Sequence, residues 1–235
     1  MKTILVIATC PRKRSYLADT IYSIDAEGGD EFKYKLIISD GDWSFPGKPG
    51  WEIQYNDGPL GHRKAFWRTL EVVAGMDADN LLYVEDDVRA CKNAFRHIAR
   101  MNVPDDAALL SFHDMSICKE KAEYGPRRIP LRWNGKTKDF CGLQCALIPR
   151  RSIDFLLQHD PFGMSEEQYW SPTSSADCVL GYILNKSSTK NYVLHVPSLV
   201  LHVGEVSAAH NKPLKGRADT RNFPGLTFDA LELNF

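Results

Sequence analysis

The sequence predicts an α/β fold: a mixed, mostly parallel sheet flanked by helices. Three observations carry this. Apolar, β-branched runs at residues 2–8, 34–39 and 81–84 are continuous rather than alternating, as strands buried on both faces are. Segments with one apolar face at helical spacing stand between them. The charged and turn-forming residues gather just after the strands, where α/β proteins bind ligands.

The 235 residues suit one large domain or two small ones, and 43% apolar content is enough for a sizeable core. A net charge of −1 excludes a molecule that is basic overall and drawn to nucleic acid or anionic membrane by its total charge. No stretch approaches the roughly 18 apolar residues of a membrane span, and the first eight residues read as a strand rather than a signal peptide. Cys10, Cys91, Cys118, Cys141, Cys145 and Cys178 form no CxxC pair. They are expected to be reduced thiols in a cytoplasmic protein, and a zinc site is disfavoured by their spacing.

Taken in order, Lys2 to Ala8 is the first strand. Thr9-Cys10-Pro11-Arg12-Lys13-Arg14-Ser15 then forms a loop with three cations, opening a helix from Ser15 to Ile24 whose inner stripe is Leu17, Ile21 and Ile24. Cations beside a helix start suit a diphosphate, although solvated surface charge is the alternative. Tyr34 to Ser39 is a second strand ending at Asp40, placed as an acid that contacts a ribose or base. Glu52 to Tyr55 is a short strand. A turn-dense loop leads into a helix from His62 to Gly75 with Ala65, Phe66, Thr69, Leu70 and Val73 inward. His62, Arg63 and Lys64 occupy its first turn, where the helix dipole disfavours cations unless an anion sits nearby.

The organising stretch is Leu81-Leu82-Tyr83-Val84-Glu85-Asp86-Asp87-Val88. Three adjacent carboxylates at the end of a core strand repel one another and are costly to bury. A divalent cation shared with a phosphate explains them; a solvated acidic turn is the plainer alternative. A helix at 92–100 and a strand at 107–112 follow. Residues 118–138 are basic and irregular, with Arg127, Arg128, Arg132, Lys136, Lys138 and Trp133, and are expected to form a mobile segment over the site. Then come a strand at 140–148, a helix from Pro149 to Gln158, and a helix capped by Ser174-Ser175-Ala176-Asp177. Two short strands are split by Pro197-Ser198 and end in Leu201-His202-Val203-Gly204.

Three of these pieces, in this order, resemble the GT-A-fold glycosyltransferases, Rossmann-like enzymes that use nucleotide sugars. Tyr83-Val84-Glu85-Asp86-Asp87-Val88 is similar to their Asp-x-Asp-type (DXD) motif, in its Glu-Asp-Asp form. Residues 140–149 (Phe-Cys-Gly-Leu-Gln-Cys-Ala-Leu-Ile-Pro) resemble the strand that lines their acceptor side. Residues 196–204 (Val-Pro-Ser-Leu-Val-Leu-His-Val-Gly) resemble the late segment whose histidine completes the metal site. The resemblance covers roughly residues 3 to 207.

It implies roles residue by residue. Asp87 and His202 would bind a metal, Mn²⁺ in preference to Mg²⁺. Glu85 and Asp86 would contact the ribose or donor sugar, or hold metal-bound water. Thr9, Arg12, Asp40 and Lys64 would line the nucleotide sugar, with UDP the expected nucleotide. Gly142, Gln144 and Trp170 would lie on the acceptor side. Asp177 would be the catalytic base of an inverting transfer to a hydroxyl of a glycan or glycoconjugate; its alternative use is a helix N-terminal acid, which would leave a retaining transfer open. Residues 1–207 would be the catalytic domain, split into a nucleotide-sugar half (1–112) and an acceptor half (113–207), with 208–235 a tail packed on the body.

Other readings remain open at this point. The basic stretches 127–138, 150–151 and 212–217 could hold DNA, with a hydroxymethylated base as acceptor, as in phage DNA-modifying transferases. A nucleotidyltransferase could use the same acids, but Thr9-Cys10-Pro11-Arg12 lacks the glycines that class carries. A non-catalytic sugar- or nucleotide-binding module would not need both the acids and a candidate base.

Overall fold

The computed structural model describes residues 1–12, 14–42, 45–114, 123–131, 140, 142–159, 176–189, 191–204 and 222–233. The chain runs β1 (Thr3–Thr9), α1 (Leu17–Ala26), β2 (Tyr34–Ser39), β3 (Glu52–Tyr55) and α2 (His62–Ala74). It continues through β4 (Asn80–Glu85), β5 (Val88–Ala90), α3 (Ala94–Ile98), β6 (Leu110–Ser111) and β7 (Gly125–Pro130). It then forms β8 (Cys145–Pro149), α4 (Arg150–Leu157), α5 (Ala176–Leu184), β9 (Asn191–Val196) and β10 (Val200–His202).

Eight strands form one sheet in the order β3-β2-β1-β4-β8-β6-β9-β7, and β5 pairs with β10 in a two-stranded ribbon. The β1–β2, β1–β4, β2–β3 and β6–β9 pairings are parallel; β4–β8, β6–β8 and β7–β9 are antiparallel. This is the mixed, mostly parallel sheet that the continuous apolar runs predict.

Side chains alternate between the two faces of a strand, so each central strand feeds two cores. Ile4, Val6, Leu81 and Tyr83 point to the face covered by α2, α4 and α5, among Phe66, Leu70, Ile153 and Leu180. Leu5, Ile7, Leu82 and Val84 point to the other, among Leu17, Ile21 and Ile24 of α1 and Phe95 of α3. Truncating a fully buried leucine such as Leu82 to alanine costs about 2–5 kcal/mol. The centre of the sheet is therefore a stiff support for whatever its strand ends carry. Residues 222–233 lie on the α1/α3 side. There Ala230 is buried, and Asp229 receives hydrogen bonds from Asn93 Nδ2 and Leu231 N and pairs with Lys92.

Several elements differ from expectation. Residues 125–130, read as part of an irregular mobile segment, form edge strand β7 along β9. Two prolines disguised it, because proline cannot donate to a ladder; an edge strand tolerates them where a central one does not. The α3 helix covers only Ala94–Ile98 of 92–100. The strands expected at 107–112 and 140–148 shrink to Leu110–Ser111 and Cys145–Pro149. Trp170, Trp133, Ser174–Ser175, Cys118, Cys141 and the basic residues 132–138 and 212–217 lie outside the described residues. Among the described cysteines, Cys10, Cys91, Cys145 and Cys178 are thiols. Among the described residues, no helix is long and apolar enough to cross a membrane.

Candidate metal and nucleotide site

From β1 the chain steps outward to β2 and β3, then returns through α2 to β4 on the other side of β1. β1 and β4 are parallel with Ala8 opposite Glu85, so their carboxyl ends open side by side at the point where the strand order reverses. In open α/β sheets that reversal makes the crevice in which ligands bind. Thr9 at the end of β1 and Arg12 in the loop after it lie there, as do Glu85 at the end of β4 and Asp86 and Asp87 in the turn that follows.

The acids divide between the strand and the turn after it: Glu85 is the last residue of β4 and pairs with His62 at the start of α2, whereas Asp86 and Asp87 form the turn before β5. Asp86 is buried, accepts a hydrogen bond from Thr9 Oγ1 and pairs with the Arg12 guanidinium. Glu85 and Asp87 meet His202 from β10. The three offer ligand atoms that all lie within 4.8 Å of one another. Asp87 Oδ2 is 3.2 Å from His202 Nε2 and 3.0 Å from Arg12 Nη1, and Glu85 Oε1 is 3.3 Å from His62 Nε2 at the start of α2. Glu85 thus shares a cluster with Asp87 and His202, while Asp86 pairs with Thr9 and Arg12.

Three observations test whether the cluster fits a divalent cation. Its donors, two carboxylates and an imidazole, are a ligand set for a first-row metal such as Mn²⁺. Asp87 Oδ1 is buried without a hydrogen-bond partner among the described residues, an arrangement that costs free energy unless something else occupies that oxygen. Gly204 closes the other side: a Cβ there would overlap Asp87 Oδ2 and come within 3.1 Å of His202 Nε2. Val203 N donates to Asp87 O at 2.8 Å, so the chain that presents His202 also grips the acidic turn. The residues fit the ion.

The electrostatics follow from burial and these pairings. Burial pushes the Asp86 carboxyl up to about 7 against the pull of Arg12. Burial opposes the charge on Asp87 too, but His202 and Arg12 outweigh it and hold that carboxyl at about 2. For Glu85, the desolvation cost is overcome by His62, and its pKa falls. Burial pushes the Cys10 thiol up to about 11, with Asp86 adding to the effect, so Cys10 is no thiolate nucleophile. His113 behind the cluster is driven down to about 4 by burial and then by His202, so it stays neutral near pH 7.

The other expected site residues are distributed around this cluster. Asp40, buried beside Thr9 at the end of β2, accepts from Leu60 N at 2.7 Å and Gly61 N at 2.8 Å. Its carboxylate shapes the entry to α2, a structural task the sequence did not reveal. Lys64 lies exposed in the first turn of α2. Gln144 is buried beside His113, and its carbonyl accepts from Glu85 N at 2.9 Å. Gly142, at φ +147°, packs where a Cβ would stand 2.7 Å from Ser111 Oγ and 2.8 Å from His113 O. Asp177, buried in the first turn of α5, accepts from Cys178 N at 3.0 Å. Ala176 N donates to His62 Nδ1 at 3.5 Å, so His62 links the start of α5 to Glu85. In the sequence His62 stands out only as an ill-placed cation at a helix start, and its unfavourable position against the dipole is the available signal.

The basic surface looks different from its sequence. Arg128 pairs with Asp106, Arg150 with Asp154 and Arg151 with Asp105. Each of these three cations thus has an acidic neighbour.

No protein-family model matches the chain, and no curated protein sequence does. Among solved structures, it is similar to the galactosyltransferase LgtC, solved with donor and acceptor sugar analogues. That likeness has 18% identity over 80% of this chain and 70% of the other, with a TM-score of 0.48. It is also similar to the glycosyltransferase GlyE of Streptococcus pneumoniae TIGR4, at 10% identity over 79% of this chain and 44% of the other, TM-score 0.49. A third likeness is to A197 from STIV, at 14% identity over 86% and 85% of the two chains, TM-score 0.46.

Proposed function

We propose that this chain is a metal-dependent glycosyltransferase. It would move a sugar from a nucleotide diphosphate sugar, a UDP-sugar first among candidates, to a hydroxyl of a glycan or glycoconjugate. The observation that carries the reading is the Glu85, Asp87 and His202 cluster at the strand-order reversal, with a buried Asp87 oxygen left unpartnered.

Glu85, Asp87 and His202 would hold Mn²⁺ or Mg²⁺. The ion, when bound, supplies a Lewis acid that stabilises negative charge on the leaving diphosphate. Thr9 and Arg12 stand at the mouth of β1, where Arg12 meets the phosphates, and Lys64 adds charge from α2. Asp86, which accepts from Thr9 Oγ1 and pairs with Arg12, would hold that guanidinium beside the phosphates. Gln144, Gly142 and Trp170 are assigned to the acceptor side.

The acceptor oxygen attacks the anomeric carbon, and the bond from that carbon to the phosphate oxygen breaks. The electron pair leaves with the nucleotide diphosphate. The acceptor proton passes to Asp177, giving inversion in one displacement. Support for Asp177 is its placement in the α5 helix start that His62 ties to Glu85.

The test is transfer from UDP-sugars in the presence of Mn²⁺. Asp87→Ala should abolish metal-dependent turnover with the fold retained. Asp177→Asn should keep donor binding and lose transfer; full transfer by that variant overturns the base assignment.

A further inference from the structure

We infer that Thr20, on the inner face of α1, is a positioning residue for the metal cluster, acting through the backbone of the acidic turn. This rests on the metal-dependent reading above. Thr20 is fully buried, in a helix whose other inward residues include Leu17, Ile21 and Ile24. An apolar side chain would fill that face without a hydroxyl to satisfy.

The hydroxyl is used in full. Thr20 Oγ1 lies 2.8 Å from Asp86 O and 3.0 Å from Val88 O, and it accepts from Val88 N at 3.2 Å. A hydroxyl has one proton to donate and two lone pairs. It therefore accepts the Val88 N–H and shares its proton between the carbonyls on either side of Asp87. Asp87 O is taken by Val203 N. The peptide groups flanking Asp87 are thus gripped by α1 on one side and by the chain beyond His202 on the other. Thr20 reaches no ligand atom; it fixes the backbone from which Asp87 projects. Removing a group that hydrogen-bonds a metal's ligand costs about 10–100-fold in affinity, and a support acting one step further out, on the backbone, is expected at the lower end of that range.

The same helix supplies a control. Ser23 Oγ accepts from Ala90 N at 2.9 Å, a comparable buried bond that holds β5 beyond the acidic turn. A merely structural role for Thr20 predicts that the two residues behave alike. A positioning role predicts that they differ in metal affinity at similar stability.

The experiment titrates the full chain with Mn²⁺ and follows free Mn²⁺ by electron paramagnetic resonance, with urea melts in parallel. Thr20→Val should weaken Mn²⁺ at least about tenfold. Thr20→Ser, which keeps the hydroxyl, should restore affinity to within about threefold, and Ser23→Ala should leave it unchanged. Should Thr20→Val not fold, Thr20→Ala replaces it with the same expectation. Wild-type affinity in the folded Thr20 variant, or an equal loss in Ser23→Ala, overturns the inference. A wild-type chain that binds no Mn²⁺ overturns the metal-dependent reading itself and this inference with it.

Discussion

Replacing Gly204 by alanine adds one methyl group at the most confined point of the candidate site. That Cβ would stand 3.1 Å from both Asp87 Cγ and His202 Nε2 and closer still to Asp87 Oδ2. Ordinary heavy-atom contacts sit at about 3.5–4.0 Å, so the Asp87 carboxylate must retreat by roughly 1 Å. No backbone strain accompanies the change, since Gly204 is not among the glycines of positive φ. Constellations of this kind work within about 0.5 Å of their best geometry, and a 1 Å misplacement costs about 10²-fold. Mn²⁺ affinity should therefore fall about 100-fold, or about 2.7 kcal/mol, while the urea midpoint moves little. The assay is Mn²⁺ titration beside equilibrium unfolding. Gly204→Ala with wild-type Mn²⁺ affinity would refute the reasoning, because it would place the ion away from Asp87 and His202.

Other perturbations separate the remaining parts. Arg12→Gln removes the cation facing Asp86 and Asp87; nucleotide diphosphate affinity should drop about tenfold or more, and unchanged affinity would remove Arg12 from the phosphate site. His62→Ala should impair transfer, with the conservative His62→Gln retaining more of it, because His62 joins Glu85 to the start of α5; equal activity of the two would deny it that link. On the far side of the sheet, His195 is fully buried against Pro197 O and His97, and burial drives its pKa down to about 4. A histidine with a depressed folded pKa stabilises above its unfolded value of about 6.5 and loses that contribution as pH falls toward 4. Unfolding free energy should thus decline by about 3 kcal/mol from this group between pH 7 and pH 4. His195→Gln should flatten that limb of the pH profile, and an unchanged slope would contradict the assignment.

What the sequence revealed, and what it hid, follows from how local each signal is. The first strand, the two following strands and the helix at 62–74 are legible because unbroken β-branched runs and apolar stripes are local patterns. The acidic turn was legible as an anomaly, three charges ending a core strand. Its division is not legible there, because Asp86 and Asp87 lie in the turn between β4 and β5, where strand alternation no longer sets the direction of a side chain. β7 was hidden because its prolines contradict the strand pattern, and an edge position that permits them is a fact of tertiary structure. The task of Asp40 depends on the path of residues 56–61, and that of Thr20 on the seating of α1 over a turn more than sixty residues away. Neither contact leaves a trace in spacing.

The most direct measurement is a thermal-shift panel of nucleotide diphosphates and UDP-sugars, with and without Mn²⁺. A ligand that binds the folded chain raises its melting temperature by mass action, by about 2.7 kcal/mol of added stability at a hundred times Kd. The account predicts that one nucleotide gives a shift that needs Mn²⁺ and vanishes in Asp87→Ala. Shifts by no nucleotide under any metal condition, or a shift that survives in Asp87→Ala, would contradict it.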